Sequence, residues 1–572
     1  MTRHPALLVG CSLIAAALAA APARAAEQQA YATALNYATP AVLAAQGDTL
    51  RFNNLDPLAQ HDIASDTPGQ FASPLIGNGQ SALVAGIDKL KPATYQFHCT
   101  LHAWMRGAIQ VAGPSAPGPP PPPQPPNPGD APNPVDLLPK VAPAPLSASE
   151  WPLYGHDLAN SRDGGSDGPS WNEVPTMGPV WSFRSTTGDF TGTPVVAAGT
   201  LVALAGGGTV YALDASTGKL RWSRDLGKPL NATAAIAGGR VYVPVAQTGD
   251  GAASGPRLVA LNLADGTPVW DATLDTQKGA DTYGSPVVFN GAVYIGVSAL
   301  NGEVNDPQTN VRGAVVALDA ATGAQRWKLY TVPPGRDGGA VWNTPAIDTA
   351  TGILYVGTGN AYHAPAADTT DSVLAFDAAS GALLRHFQAS AGDVWNETSN
   401  VAAGPDADFG ASLNLFAGPD GSKLVGAGQK SGTYWAVSRA TLVPRWNTLI
   451  AVEPGFLGAI VGSTAFDGHG IYGPGTAGGE IWSLGRGGSR QWVSADGGPL
   501  HFGALSVANG VVYSTDMSGH LTARDVTTGA VLTKLPLGAP SWGGVAIAGG
   551  YVFAVTGTQG TAGYVVGYRP RG

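Results

Sequence analysis

Apolar and polar residues alternate with period two in short runs bounded by Gly, Pro, Asn and Asp, the pattern of strands that bury one face. Thr49-Leu-Arg-Phe-Asn, Ser81-Ala-Leu-Val-Ala-Gly, Ala93-Thr-Tyr-Gln-Phe-His and Gly107-Ala-Ile-Gln-Val are such runs, and they predict a small β-sandwich over 27–113. From about residue 150 a longer unit repeats. Val210-Tyr-Ala-Leu-Asp-Ala-Ser-Thr-Gly218-Lys-Leu-Arg-Trp222 recurs as Leu258-Val-Ala-Leu-Asn-Leu-Ala-Asp-Gly266-Thr-Pro-Val-Trp270, as Val315-Val-Ala-Leu-Asp-Ala-Ala-Thr-Gly323-Ala-Gln-Arg-Trp327, and as Val373-Leu-Ala-Phe-Asp-Ala-Ala-Ser-Gly381. Each copy reads as strand, Asp-x-x-x-Gly hairpin, strand, and is preceded by a second hairpin such as Gly238-Gly-Arg-Val-Tyr-Val. Degenerate copies at Tyr434 to Trp446, Ile481 to Trp492, Leu521 to Leu532 and Tyr564 to Tyr568 bring the count to eight. Four strands repeated every forty to sixty residues or so predict the blades of an eight-bladed β-propeller over 150–572. The last copy has no outer strand of its own, so Pro179-Val-Trp-Ser-Phe-Arg184 is expected to complete the eighth blade and close the ring, leaving no open edge. The Trp residues that follow the hairpins are expected to pack between blades.

Composition agrees with an all-β chain: Gly 79, Pro 46 and 12% charged residues describe a turn-rich protein. Between the two patterned regions lies Pro114-Ser-Ala-Pro-Gly-Pro-Pro-Pro-Pro-Pro-Gln-Pro-Pro-Asn-Pro-Gly-Asp130. Consecutive prolines fix φ and lack amide donors, so 114–149 is expected to be an extended, semi-stiff spacer. The N-terminal run Leu7-Leu-Val-Gly-Cys-Ser-Leu-Ile-Ala follows Arg3 and ends at Ala23-Arg-Ala25, which predicts a signal peptide over 1–25 and a periplasmic or secreted protein. Beyond it no apolar run is long enough to span a bilayer. A formal net charge of −9 leaves no electrostatic footprint for nucleic acid.

Only two cysteines occur in 572 residues, and Cys11 lies in the expected signal. Cys99 then has no partner for a disulfide, and a lone thiol in an oxidising compartment points to a ligand role. It opens Cys99-Thr-Leu-His102-Ala-Trp-Met105, with His61 upstream. Thiolate, two imidazoles and a thioether form the ligand set of a type 1 copper electron-transfer centre. Segment 27–113 resembles the cupredoxins, closest to their small amicyanin-like members, in which Cys-x2-His-x2-Met closes the copper site. The resemblance implies His61 and His102 as imidazole ligands, Cys99 as thiolate and Met105 as axial ligand. His98 would alternate to the opposite face of its strand and is excluded.

The Ala-x-Asp-x-x-x-Gly-x-x-x-Trp repeat resembles that of the quinoproteins, eight-bladed dehydrogenases that hold pyrroloquinoline quinone (PQQ) in the central channel. Trp151-Pro-Leu-Tyr-Gly-His-Asp-Leu-Ala-Asn-Ser-Arg162 and the stretch from Gly338 to Gly432 look most like the polyvinyl-alcohol dehydrogenase branch. The resemblance places Trp342 as the floor under the quinone, Asn360 as a calcium-ligating amide and Lys430 as the cation on the quinone oxygens. It places the catalytic aspartate on Asn396 of Gly392-Asp-Val-Trp-Asn-Glu, where an amide cannot act as a base; Asp393 or Glu397 would have to substitute. The calcium-ligating carboxylate falls near Asn301, with Glu303 as the nearby acid. The adjacent-cysteine disulfide of many members is absent. These readings imply a redox enzyme that oxidises a small or polymeric alcohol with PQQ and calcium, then passes electrons through copper to an external acceptor such as a cytochrome c or another cupredoxin. The alternative is a non-enzymatic exported propeller that serves as a binding scaffold beside a copper electron carrier; the departures at Asn396 and Asn301 favour it.

Overall fold

A computed structural model describes residues 27–33, 36–37, 41–54, 59–77, 80–102, 105–112, 133–146, 149–247, 255–299, 303, 310–396, 405–451, 458–476, 478–495, 500–558 and 563–571. The expected signal and the densest proline run lie outside them. The chain divides into two units, Met1–Pro121 and Pro122–Gly572. Among the described residues no helix is long and apolar enough to cross a membrane.

The first unit has strands β1 (Glu27–Thr33), β2 (Asn36–Tyr37), β3 (Ala41–Ala45), β4 (Thr49–Asn54), β5 (Ala64–Ser65), β6 (Ser81–Leu83), β7 (Ala93–His98) and β8 (Arg106–Ala112). They form two four-stranded sheets, ordered β2-β1-β4-β6 and β3-β8-β7-β5. Period two is visible in β4, whose residues alternate between half-buried and buried. Leu50, Phe52, Ile63, Phe97 and Ile109 fill the core. In the β7–β8 pair Phe97 faces Gly107, where a Cβ would lie 2.3 Å from the Phe97 ring. The glycine thereby lets Phe97 lie flat at the base of the loop that carries Cys99, His102 and Met105.

The second unit contains eight four-stranded antiparallel sheets: blades 1 to 8 at 195–225, 235–273, 287–330, 346–388, 414–449, 465–495, 506–536 and 546–570. The fourth strand of blade 8 is β9 (Met177–Arg184), paired with Tyr564–Pro570 through Phe183↔Val565 and Ser182↔Val566, so the ring closes as the sequence predicts. The repeat's tryptophans join neighbouring blades. Trp222 donates Nε1–H to Leu263 O at 2.8 Å and lies over Gly266, where a Cβ would come within 2.5 Å of the indole. The same indole-on-glycine contact links Trp181 to Gly218, Trp270 to Gly323, Trp327 to Gly381, Trp446 to Gly488 and Trp492 to Gly529. These glycines also have positive φ, so only glycine meets both demands. Between blades 4 and 5 both halves of the joint change together: Arg385 stands four positions after Gly381, and Leu442 takes the positive-φ position.

Ahead of each innermost strand runs a short triplet whose third residue carries a hydroxyl in blades 1 to 6. These hydroxyls form a belt. Thr193 N–H donates to Thr233 Oγ1 at 2.7 Å, Thr233 to Ser285 at 3.0 Å, Ser285 to Thr344 at 3.3 Å, Thr344 to Ser412 at 3.0 Å and Ser412 to Ser463 at 2.9 Å. Blades 7 and 8 have Ala504 and Gly544 instead. Arg162 fills that gap, donating to Leu505 O, Ser506 Oγ, Val545 O and Thr193 Oγ1, and a Cβ on Gly544 would lie 2.9 Å from its guanidinium. Arg162 belongs to a strap, 151–167, that hydrogen-bonds successively to blades 1, 2, 4, 5, 6, 7 and 8 through backbone contacts at Val196, Ile236, Ile347, Leu415, Phe466, Val507 and Gly550.

The expected spacer is shorter than 114–149. Val141 N–H donates to Pro179 O at 2.8 Å, Val135 and Val141 are buried in the core of the closing blade, and Tyr551 OH exchanges hydrogen bonds with Ala144. Apolar side chains among the prolines give 133–146 something to bury, so this part of the segment belongs to the propeller.

Candidate functional site

In the first unit the β7–β8 loop is held by short-range backbone bonds: Cys99 N to Met105 O, His102 N to Cys99 O at 3.2 Å, and Met105 N to His102 O at 2.9 Å. Asp62 takes the Thr100 N–H and hydroxyl, each at 2.7 Å, and so fastens this loop to the residue beside His61. Cys99 Sγ lies 3.7 Å from His61 Nδ1 and 3.4 Å from His102 Nδ1; one ligand atom from each of the three falls within 4.8 Å of the others. His61, Cys99 and Met105 are buried, and His102 is half-exposed. Burial opposes ionisation of the thiol, but hydrogen bonds from His102 and His61 outweigh it and bring Cys99 down to about 6. The four residues named from sequence are thus in one loop and one facing segment. His98 turns away and pairs with Asp66 at 2.5 Å.

In the propeller, strand direction decides which loops meet. Turns from second to third strand, and connections from an outer strand to the next blade, emerge on one face; the Asp-x-x-x-Gly hairpins emerge on the other. Every described propeller residue named from sequence lies on the first face. Trp342 precedes blade 4, Asn360 follows its second strand, Asp393 and Asn396 precede blade 5, Lys430 follows its second strand, and Glu303 follows the second strand of blade 3.

Trp342, Asn360, Glu303 and Lys430 converge on two residues missed in the sequence, Asp406 and Asp408. Asp408 Oδ2 accepts Trp342 Nε1–H at 3.0 Å and lies 3.5 Å from Lys430 Nζ; its Oδ1 accepts Asn360 N–H at 2.7 Å. Lys430 donates to Asp406 at 2.8 Å and sits 5.4 Å from the Trp342 ring centroid. Glu303, Asp406 and Asp408, all buried, offer oxygens within 4.8 Å of one another. Asn396 donates Nδ2–H to Tyr362 O at 2.8 Å. Asp393 accepts Ala407 N–H at 2.8 Å and so clamps the base of the stretch between Trp395 and Asp406. Asn301 and Glu397 lie outside the described residues. Asp408 is the acid held against the Trp342 indole and the Lys430 ammonium. The available signal was Asp406-Ala-Asp-Phe-Gly410, two acids two positions apart in a chain with 12% charged residues.

The electrostatics call for a cation. Burial and the nearby Asp408 and Asp406 charges push Glu303 well above the carboxylate range, and burial raises Asp406 to about 7 against the pull of Lys430. Burial would lower Lys430, but Asp406, Asp408 and Glu303 hold it above its ordinary value. Glu303 Oε1, Asn360 Oδ1, Asp393 Oδ1 and Asp406 Oδ2 are buried without a hydrogen-bond partner. Carboxylate and amide oxygens left bare in one place are the ligands of a hard divalent ion. Beside them is a cavity of about 190 Å³ lined by Trp342, Gly410, Phe502, Trp542, Tyr283 and Thr191. Trp542 Nε1 and Thr191 Oγ1 also lack partners, and a Cβ on Gly410 would lie 1.9 Å from the Trp342 ring. An indole face, a buried ammonium and unused donors suit a flat, anionic ligand.

Residues 174–448 match the PQQ_2 family, described as outer membrane protein assembly factor BamB. The chain is 28% identical over 505 residues to a polyvinylalcohol dehydrogenase of Sphingopyxis sp. (strain 113P3), covering 75% of this chain and 74% of that protein. It is 30% identical over 299 residues to the quinohemoprotein alcohol dehydrogenase of Comamonas testosteroni, covering 44% of this chain and 40% of that protein. The solved quinohemoprotein alcohol dehydrogenase ADHIIG of Pseudomonas putida HK5 superposes with a TM-score of 0.64 at 21% identity, over 74% of this chain and 80% of that one. That likeness bears on the fold: the propeller is quinoprotein-like.

Proposed function

We propose that the chain is a two-centre exported redox protein, in which the propeller oxidises an alcohol with PQQ and calcium and a cupredoxin unit carries the electrons onward through type 1 copper. The propeller is a quinoprotein alcohol dehydrogenase-like oxidoreductase, as its relatives are polyvinylalcohol and quinohemoprotein alcohol dehydrogenases. The observation that carries the reading is Asp408, held between the Trp342 indole, the Asn360 amide and the Lys430 ammonium, beside bare carboxylate oxygens.

Each residue has a task in this reading. Trp342 supports the face of the flat cofactor, and Lys430 places positive charge where its oxygens gain electron density. Glu303, Asn360 and Asp406 or Asp408 supply oxygens to calcium. Asp408 is the carboxylate placed to accept the substrate's hydroxyl proton, the task that Asn396 cannot perform. When bound, the quinone accepts the two electrons released as alcohol becomes aldehyde or ketone. The buried carboxylates of Glu303, Asp406 and Asp408, gathered in one place, support this reading over the scaffold alternative.

His61, Cys99, His102 and Met105 would hold the copper. Buried sulfur ligands in a tight loop suit an ion that moves single electrons with little rearrangement. The acceptor is then a cytochrome c or a second cupredoxin, and the location periplasmic or secreted. Reconstitution of the purified chain with PQQ, calcium and copper tests both halves. Alcohol should bleach the blue band; failure to bind quinone overturns the dehydrogenase reading, and absence of a blue band overturns the copper reading.

A further inference from the structure

The site-bearing face of the propeller holds a second cavity, of about 440 Å³, lined by Gln277, Asn310, Arg312, Arg336, Asp337 and His363. It is built by the loops that carry Glu303 and Asn360: Asn310 and Arg312 lie in the connection that contains Glu303, and His363 lies just beyond Asn360.

Its charge differs from that of the rest of the chain. Among the described residues no carboxylate lies against Arg312 or Arg336, whereas the neighbouring acids are already engaged. Asp337 Oδ1 accepts the N–H groups of Tyr362 and His363 at 3.2 and 3.0 Å, and its Oδ2 pairs with His363 Nδ1 at 2.5 Å. Asp275 pairs with Lys328 at 3.0 Å. Among the described residues, two arginines thus line the cavity without an ion-pair partner, in a protein of net charge −9.

Arg312 is also held in place, while Arg336 is exposed. Gln277 clasps the Arg312 backbone through two bonds of 3.1 Å, and the Arg312 guanidinium lies 3.7 Å from the Tyr330 ring centroid. Arg336 follows the turn closed by its own N–H to Pro333 O. Gly338 packs so closely that a Cβ would lie 2.2 Å from Asn360 O, which ties this loop to the cation-site loop. Asn310 adds an amide to this lining, and guanidinium and amide donors together suit an oxyanion.

We propose that this cavity is an anion subsite that takes the carboxylate of a hydroxy-acid substrate, fixing the remote end of the molecule while its hydroxyl enters the site at Asp408. The subsite stands on the cavity and its arginines; only the identification of its ligand as substrate rests on the dehydrogenase reading. Remote binding of this kind holds the reacting end in position.

The test has two arms. Inorganic phosphate is titrated calorimetrically into the full chain and into R312Q, R336Q and the double variant, with folding checked by thermal melting. Each substitution should weaken binding about tenfold; no binding to the wild type, or equal binding by a folded double variant, overturns the subsite. In the second arm 4-hydroxybutyrate and 1-butanol are compared as substrates of the reconstituted protein. The double variant should lose about tenfold or more in kcat/KM for the acid and keep its rate on butanol; an unchanged ratio overturns the assignment to substrate. A chain that binds phosphate through these arginines yet oxidises neither alcohol upholds the subsite and overturns the dehydrogenase reading instead.

Discussion

The two ion-type clusters of this chain are built in opposite ways. The sulfur and imidazole cluster takes three residues from one loop, Cys99, His102 and Met105, and one from a facing segment, His61, with Asp62 fastening the two together. The carboxylate cluster draws Glu303, Trp342, Asn360, Asp406, Asp408 and Lys430 from loops of three consecutive blades. The first is soft, and its thiol is brought down to about 6 by histidine hydrogen bonds. The second is hard, and burial drives its acids upward. A local site is set by a short motif; a dispersed one is set by the ring that brings its loops together.

The sharpest way to break this contrast is C99S. The copper-loaded variant should lose the whole thiolate charge-transfer band, while a dye-linked assay of the propeller stays unchanged; a surviving band would remove Cys99 from the ligand set. D408N comes next, with an expected loss of about 10²- to 10⁴-fold in kcat for alcohol oxidation in steady-state assays. N396A, in the same assay, should change the rate far less; the reverse ranking would restore the position read from sequence.

K430M tests the balance of charge around the acids. Without its ammonium the buried Asp406 and Asp408 carboxylates lose their partner, at about 3–5 kcal/mol in urea denaturation without calcium. Added calcium should recover a large part of that loss, and its failure to do so would argue against an ion in this cluster.

The smallest effect belongs to the opposite face. Hydrogen bonds from Arg326 and Thr322 hold Asp319 down at about 2 against an ordinary 3.8. Because the folded value is the lower one, its stabilisation is complete above about pH 4 and disappears as pH falls through about 2. Melting temperature should hold steady from pH 7 to 5 and fall below 4, with a shallower fall in D319N.

Those two faces also explain what the sequence could reveal. The Asp-x-x-x-Gly hairpins repeat because most blades use the same turn, with a glycine under a neighbour's tryptophan, so eight blades and the closing role of Pro179 to Arg184 were legible. The site face has no such constraint. Trp342, Asn360 and Lys430 were found through likeness at fixed spacings, but Asp408 stands twelve residues beyond Asn396, outside any spacing that the likeness supplies. Arg162 was equally hidden, since its value depends on hydroxyls missing from blades 7 and 8, which become neighbours of the strap only in the closed ring. The expected spacer is longer than the real one because Val135 and Val141, scattered among prolines, show their burial only in the core of the closing blade.

Closure of blade 8 by β9 has a consequence in time. The ribosome releases Met177–Arg184 long before Tyr564–Pro570, its hydrogen-bonding partner. At ordinary elongation rates of about 5–20 residues per second, that early strand waits roughly 20 to 80 s with an unpaired edge. Truncation of the last few residues would make the wait permanent, leaving two bare edges for other chains to find.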